Sequence, residues 1–299
     1  MDRVAMRFLI LLAVLLAAPA AWAHVAQAPD ALPGWGAEPW VAALLALSAA
    51  LYAAGGMRLW LRARAGRPRL LRQAGAFAAG WLTLAAALAS PLDGLGVQLF
   101  SAHMLQHELL MIVAAPLLVM GRPLAVWIWA LPYRDVIGAA LHHPAVRLPW
   151  QFLTLPLVSW LLHAIALWAW HAPLLFEDAL ADSTMHGWQH TSFLASALLF
   201  WWSVLGDGRD RPQRGGAMLY LFTTMLHTGA LGALLTWSAV VWYPSYMATA
   251  GLYGFDALED QQLGGLIMWI PGALAYLIAG LALARRWLGG RKPAPLGMR

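Results

Sequence analysis

Cysteine is absent from this sequence of 299 residues, and several kinds of chemistry are absent with it. Disulfides, thiolate metal sites, cysteine-ligated iron–sulfur clusters and covalently attached c-type haem all need cysteine side chains. A metal ion bound by this chain must therefore take its ligands from histidine, methionine, carboxylate or backbone oxygen. The single lysine, Lys292, lies in the C-terminal tail, which excludes a retinal-type Schiff base within a membrane. The sequence also has no P-loop and no glycine-rich dinucleotide-binding motif.

Charged residues are scarce as well. They make up 11% of the chain, whereas 61% is hydrophobic and the mean hydropathy is +0.63. A soluble domain could not bury this much apolar surface, so the composition indicates an integral membrane protein. The net charge of +5 indicates an orientation signal rather than nucleic-acid binding, because the basic residues follow the ends of apolar segments.

The N-terminus has the three parts of a secretory signal peptide. Arg3 and Arg7 form a charged region, residues 8–18 are apolar, and the tripeptide AWA that follows fits an A-x-A cleavage site. We therefore expect residues 1–23 to be removed, which would leave His24 as the first mature residue, outside the cytoplasm. The alternative is an uncleaved extra helix.

Seven later segments are apolar and long enough to cross a bilayer, which takes about 20 residues. They lie near residues 40–58, 74–90, 99–120, 151–171, 184–205, 217–238 and 261–284. The sequence thus predicts an all-α, polytopic membrane domain of seven transmembrane helices over residues 40–285. An extracytoplasmic segment at 24–39 precedes it and a basic tail at 286–299 follows it. The run LAVWIWALP at 124–132 is too short to span, and we expect it at the interface or packed in a loop.

The basic residues set the predicted orientation. Every Lys and Arg after residue 23 falls in four stretches, at 58–72, 121–150, 206–216 and 285–299. These stretches all lie on one side of the seven-span arrangement, and the positive-inside rule makes that side cytoplasmic. The mature N-terminus is then outside and the C-terminus cytoplasmic. We expect a multi-pass protein of the inner (plasma) membrane.

Seven of the ten histidines fall in the outer half of four consecutive predicted spans. They are His103, His107, His163, His171, His186, His190 and His227. Ionisable groups within a membrane face the bundle interior and mark functional pathways. Neutral imidazole is the commonest metal ligand and suits copper, zinc and iron. The predicted site is therefore a metal site, and its alternative is hydrogen bonding between helices for packing.

Two of the spans open with the same histidine pattern. HMLQH and HGWQH each place two histidines four residues apart, on one helix face, with Gln106 and Gln189 at matching positions. The repetition predicts a two-helix unit used twice and a four-helix core with its histidines facing inward. These glutamines and Glu108 are candidates to hold the second ring nitrogen of a ligating histidine. Thioethers favour Cu(I), and four methionines lie nearby in sequence: Met104, Met111, Met185 and Met225.

The last predicted span opens with the polar residues Asp260, Gln261 and Gln262 and continues with Gly264 and Gly265. We expect a capped helix start that packs closely on a neighbour, because glycine lets helix backbones approach. A role in closing the metal vestibule is the alternative.

Four blocks of the chain together resemble the CtaG-like assembly factors of cytochrome c oxidase, the caa-type oxidase group. They are HMLQHELLMIVAAPLLVMGRP, HTSFLASALLFWWSVLG, LHTGALGALLTWS and DQQLGGLIMWIPG, in that order. The resemblance runs from about residue 40 to residue 285. It implies a polytopic bacterial membrane protein with a non-enzymatic role in maturing haem–copper oxidases and handling copper. A single-span copper chaperone that shares the CtaG name relies on cysteines, so this chain cannot work in that way.

Residue by residue, the resemblance places the histidine motifs of the family on His103, His107, His190 and His227. The other three histidines rest on their predicted depth alone. Glu108 departs from the resemblance, because an apolar residue is expected there.

The sequence therefore predicts copper binding and delivery to oxidase subunits, with lipid as the other partner and no nucleic acid. Three alternatives stay open. A haem-b membrane cytochrome would use the same histidines as axial ligands. A copper or proton-coupled transporter would need a cytoplasmic exit, and a purely structural scaffold would not need the histidines.

Overall fold

The computed structural model describes residues 34–35, 37–206 and 214–289. It is helical, with no strand among those residues, which confirms the all-α prediction. The predicted signal peptide at 1–23, His24 and the end of the basic tail at 290–299 lie outside the described residues.

Each of the seven predicted spans contains a helix, and the described residues form thirteen α-helices in all. They are α1 (Pro39–Arg62), α2 (Arg67–Ala89), α3 (Pro91–Gly96), α4 (Phe100–Glu108), α5 (Ala115–Gly121), α6 (Pro123–Ala130), α7 (Arg134–His142), α8 (Pro144–Leu153), α9 (Pro156–Trp170), α10 (Pro173–Ala181), α11 (Ser183–Leu205), α12 (Arg214–Thr236) and α13 (Ala257–Gly289). A π-helical segment, Leu109–Ala114, joins α4 to α5. Two short 3₁₀ helices, Pro244–Ala248 and Ala250–Tyr253, precede α13.

Four helices are both long and apolar enough to cross a membrane: Pro39–Arg62, Phe100–Gly121, Gly216–Thr236 and Ala257–Arg285. A fifth is added if α8 and α9, which meet at 66°, form one broken span. The 23-residue helices α2 and α11 lie at the second and fifth predicted spans but are outside this set. The described helices are therefore those of a multi-pass membrane protein, and seven spans stay a prediction.

The short run at 124–132 forms α6, which packs against α1 as expected of a segment that does not span. The two helices approach closely at Gly55, where an added Cβ would lie 2.0 Å from the carbonyl oxygen of Val126. The indole of Trp127 donates a 3.0 Å hydrogen bond to the Ser48 carbonyl. These contacts hold α1 and α6 beside the main core, which α9, α11, α12, α13 and the α4–α5 helix share.

The winding of the helix changes between α4 and α5. The Ala115 N–H bonds to the Leu110 carbonyl, five residues back, instead of four. Pro116 follows directly and has no N–H to donate, which favours a break in the α-helical pattern. Such π segments recur at functional sites, and this one begins immediately after His107 and Glu108.

The predicted close approach of α13 to its neighbours is confirmed at two glycines. A Cβ on Gly265 would lie 2.7 Å from the Gly232 carbonyl oxygen and 2.5 Å from Thr236 Oγ1, on α12. A Cβ on Gly264 would lie 2.4 Å from the Phe100 ring, on α4. Only glycine fits at these positions, so α13 is pressed against both helices at once.

We expect Gly265→Ala to destabilise the protein by about 1–3 kcal/mol, because the methyl group overpacks the contact with α12. Gly280→Ala is the matched control, since Gly280 lies on the same helix with nothing within 4 Å of an added Cβ. Thermal unfolding of the detergent-purified variants checks this. Equal midpoints for the two variants would contradict the close contact.

Candidate metal centre

The site lies at the end of the bundle where α4, α11 and α13 begin, which we call the histidine end. Asp260, in the first turn of α13, is buried and accepts hydrogen bonds from the N–H groups of Phe100 (2.6 Å) and Ser101 (3.1 Å). It also accepts from Ser101 Oγ at 2.5 Å. A carboxylate is favourable at a helix N-terminus, where N–H groups lack helical partners. Asp260 therefore caps the neighbouring helix α4 and fixes the position of His103 one turn further on. The expected cap of α13 itself is made by Asp256, whose carboxylate accepts a 3.2 Å hydrogen bond from the Leu258 N–H.

Three histidines converge at the histidine end. His103 and His107 on α4 and His190 on α11 can each offer a ring nitrogen such that all three atoms lie within 4.8 Å of one another. Their ring centroids are separated by 4.3 Å, 5.3 Å and 5.9 Å, and the three side chains are 0%, 1% and 9% exposed. The four-residue spacing predicted a shared face for the α4 pair, and α11 adds the third imidazole. We call these residues the three-histidine group.

Several ring nitrogens of the group have no hydrogen-bond partner among the described residues. They are both nitrogens of His107 and Nε2 of His190. A buried polar atom left without a partner costs about 1–3 kcal/mol, and such atoms are rare in folded proteins. Coordination of a cation would satisfy the one lone pair that each neutral ring offers, while the other nitrogen of His107 carries the ring proton. The donor atoms present therefore fit a metal ion that takes imidazole ligands.

His103 is held so that one nitrogen remains available as a ligand. Its Nδ1 lies 3.2 Å from the Gly96 carbonyl, which can only accept, so Nδ1 carries the proton of the neutral ring. Its Nε2 then has a lone pair and lies 3.2 Å from Gln189 Oε1, an amide oxygen that has no proton to donate. The second ring nitrogen is thus held by the Gly96 carbonyl, whereas Gln189 lies at the nitrogen that would bind a metal, which is not the role predicted for it.

Gln106 and Glu108 make other contacts. The Gln106 amide donates to the Ala87 carbonyl (2.8 Å) and to Asp93 (2.7 Å), which ties α4 to the end of α2 and to α3. Glu108 is 7% exposed and faces α13, where its Oε2 would lie 3.3 Å from a Cβ on Gly272. Among the described residues, Gln189 is therefore the one of the three predicted partners that contacts a histidine ring nitrogen.

Two further predicted histidines border the three-histidine group. The His186 ring lies 4.2 Å from that of His190 and 5.4 Å from that of His103. The His171 ring lies 6.1 Å from that of His107. Five of the seven predicted histidines thus share the histidine end.

His163 and His227 lie in other surroundings. His163 Nδ1 is 3.2 Å from Ser196 Oγ, and its ring stacks on Phe200 at 5.4 Å. His227 contacts the Trp160 ring edge-on at 5.5 Å and accepts a 3.4 Å hydrogen bond from Trp168. Neither joins the three-histidine group, although the resemblance placed His227 with it. His163 lies two helical turns along α9 from His171, about 12 Å by the rise of a helix, which separates it from the histidine end.

An aromatic layer that the sequence analysis did not identify covers the group. Tyr243 and Tyr246 come from the segment between α12 and α13 and are both 1% exposed. Tyr243 donates to the His171 carbonyl, and Tyr246 donates to the Gly96 carbonyl that also accepts from His103, each at 2.9 Å. Phe176 packs 4.1 Å from Tyr243 and 5.0 Å from His103. The local sequence WYPSY offers aromatic residues as its only signal.

The two tyrosines stay protonated and act as donors. Burial raises the pKa of Tyr246 well above its ordinary value, and the nearby Asp260 carboxylate raises it further. Burial also raises the pKa of Tyr243, with Glu177 adding to the shift. Both hydroxyls therefore hold backbone carbonyls beside the histidines at any physiological pH.

Apolar helices around buried, converging histidines define a multi-pass membrane protein with a candidate metal site. The chain matches the family of the cytochrome c oxidase caa3 assembly factor (Caa3_CtaG) over residues 50–289, and it belongs to that family. The match confirms the resemblance seen in the four sequence blocks. The family model is described as an assembly factor of caa3-type cytochrome c oxidase.

The curated relatives carry no assigned function. The chain is 28% identical over 257 residues to an uncharacterized protein of Mycobacterium bovis and equally to one of Mycobacterium tuberculosis; each match covers 79% of this chain and 38% of the relative. An uncharacterized protein of Mycobacterium leprae is 26% identical over 225 residues, with 69% of this chain and 33% of the relative covered. The chain thus spans well under half the length of these relatives. No solved structure matches it significantly.

Proposed function

We propose that this protein binds copper at the three-histidine group and helps to deliver it to cytochrome c oxidase. The observation that carries the proposal is His107, a buried imidazole with neither nitrogen hydrogen-bonded within the described part of the chain. Membership in an oxidase assembly family supplies the recipient. The absence of cysteine leaves imidazole and thioether as the ligands, and both suit copper.

The direction of delivery follows from the predicted topology. With seven spans and every basic loop in the cytoplasm, the histidine end lies in the outer half of the bacterial inner membrane. Copper would then be accepted and released on the exoplasmic side, and the aromatic layer of Phe176, Tyr243 and Tyr246 would have to open for exchange. The protein itself would undergo no redox turnover and act as a carrier of its cargo.

Metal analysis of the detergent-purified full chain tests the proposal. We expect stoichiometric Cu(I) that survives desalting, with no Soret absorption. Absence of bound copper after loading under reducing conditions would overturn the proposal. A Soret band would overturn it as well, in favour of a haem-b protein with histidine axial ligands.

A further inference from the structure

Met104 and His171 bring a sulfur and a nitrogen together in the interior of the histidine end. Met104 lies on α4 next to His103, and His171 directly follows α9; their side chains are 0% and 2% exposed. Met104 Sδ and His171 Nε2 are 3.4 Å apart. The pair lies beside the three-histidine group, because the His171 ring is 6.1 Å from that of His107.

The sulfur–nitrogen contact is not an ordinary hydrogen bond. His171 Nδ1 lies 2.7 Å from the Leu167 carbonyl, which has no proton to give, so Nδ1 carries the proton of the neutral ring. Nε2 therefore presents its lone pair to a thioether that has no proton either. Protonating Nε2 as well would bury a charge, which is costly in an apolar interior. Two electron-pair donors that face each other in this way are arranged as ligands of a cation.

The chemistry of the pair defines the ion. Imidazole alone suits zinc, copper, iron and nickel, whereas thioether is a soft ligand that selects Cu(I). We propose that Met104 and His171 form a second coordination point beside the three-histidine group and make the centre selective for Cu(I) over Zn(II). This inference rests on the proposed function, because the same ion would move between the two sets of ligands. It adds selectivity for Cu(I) over Zn(II) and a role for a methionine.

The packing around Met104 makes the inference testable. Met104 belongs to the main apolar core, and a Cβ on Gly264 would lie 3.2 Å from its Cγ. Leucine is close to methionine in volume, and such volume-conserving exchanges are the ones a packed core tolerates best. Met104→Leu therefore removes the sulfur and keeps the packing. Met268→Leu is the matched control, since Met268 is 2% exposed in the same core.

The experiment measures Cu(I) and Zn(II) affinities by chelator competition on the detergent-purified full chain. We expect Met104→Leu to weaken Cu(I) binding at least about 10-fold, which is the lower end of the loss seen when a group that supports a metal ligand is removed. Zn(II) binding should stay within about 2-fold of wild type. Met268→Leu should match wild type for both ions. Copper X-ray absorption should show a sulfur ligand in wild type and in Met268→Leu, and none in Met104→Leu.

The outcomes separate this inference from the proposed function. Wild type that binds Cu(I) without a sulfur ligand, or Met104→Leu with unchanged Cu(I) affinity, would overturn the inference and leave copper binding at the three-histidine group intact. Failure of wild type to bind Cu(I) at all would overturn both. If Met104→Leu loses Zn(II) binding as well, the copper spectrum of wild type becomes the test. A sulfur ligand there supports the inference, and its absence overturns it.

Discussion

His103→Ala combined with His107→Ala will lower the copper affinity of the purified protein more than about 100-fold. Removal of a residue that only supports a metal ligand already lowers metal affinity about 10–100-fold. This variant removes two of the three converging ligands themselves. Both residues lie on one face of α4, so a single helix loses its whole contribution. Chelator competition under reducing conditions measures the change.

Two single-histidine variants serve as controls for the double variant. His142→Ala changes an exposed histidine on α7, which bonds to the Gly138 carbonyl at 2.6 Å, and it should bind copper like wild type. His163→Ala changes a buried histidine outside the three-histidine group, and it should keep most of the affinity. A loss in His163→Ala equal to that of the double variant, or full binding by the double variant, would show that copper is held elsewhere.

Asp260→Ala will have the largest effect on stability, which we place at about 3–5 kcal/mol because it leaves three buried donors without an acceptor, each at a cost of about 1–3 kcal/mol. The variant leaves the N–H groups of Phe100 and Ser101 and the Ser101 hydroxyl without their acceptor. A loss of this size lowers the thermal midpoint by roughly 10 °C for a chain of this length. Copper affinity should fall too, because the cap holds the turn that carries His103.

The control for Asp260 is its neighbour Glu259. Its side chain is exposed and accepts a 3.3 Å hydrogen bond from the Asp256 N–H. This bond belongs to the cap of α13, and loss of a cap costs typically about 1 kcal/mol, so Glu259→Ala should lower the midpoint by only about 2–4 °C. A midpoint for Asp260→Ala close to that of Glu259→Ala would show that the cap does not hold α4 in place.

The sequence predicted the helices well because the signal for them is local. Apolar runs of about 20 residues and the four-residue spacing of His103 and His107 are properties of short segments, and the structure has a helix at each predicted place. The close packing of α13 was also predictable, since Gly264 and Gly265 have few other reasons to lie side by side in an apolar helix.

The partners of each polar residue were harder to predict. Asp260 was one of three polar residues expected at a capped start of the last span. It caps α4, from a position 160 residues away along the chain, and Asp256 caps α13. Gln106 and Gln189 occupy matching positions in their motifs, yet only Gln189 meets a histidine, because α3 offers Asp93 to Gln106. Sequence periodicity gives the face of a helix but not the neighbour that the face meets.

The sequence by itself determined the helical class, the family, and a ligand set limited to imidazole, thioether and oxygen. Only the tertiary structure selected His103, His107 and His190 from seven histidines, set Met104 against His171, and placed Tyr243 and Tyr246 over the group. The physical reason is that helix formation depends on neighbours in the chain. A metal site instead depends on distances between helices, and these are fixed by side-chain packing across long stretches of sequence.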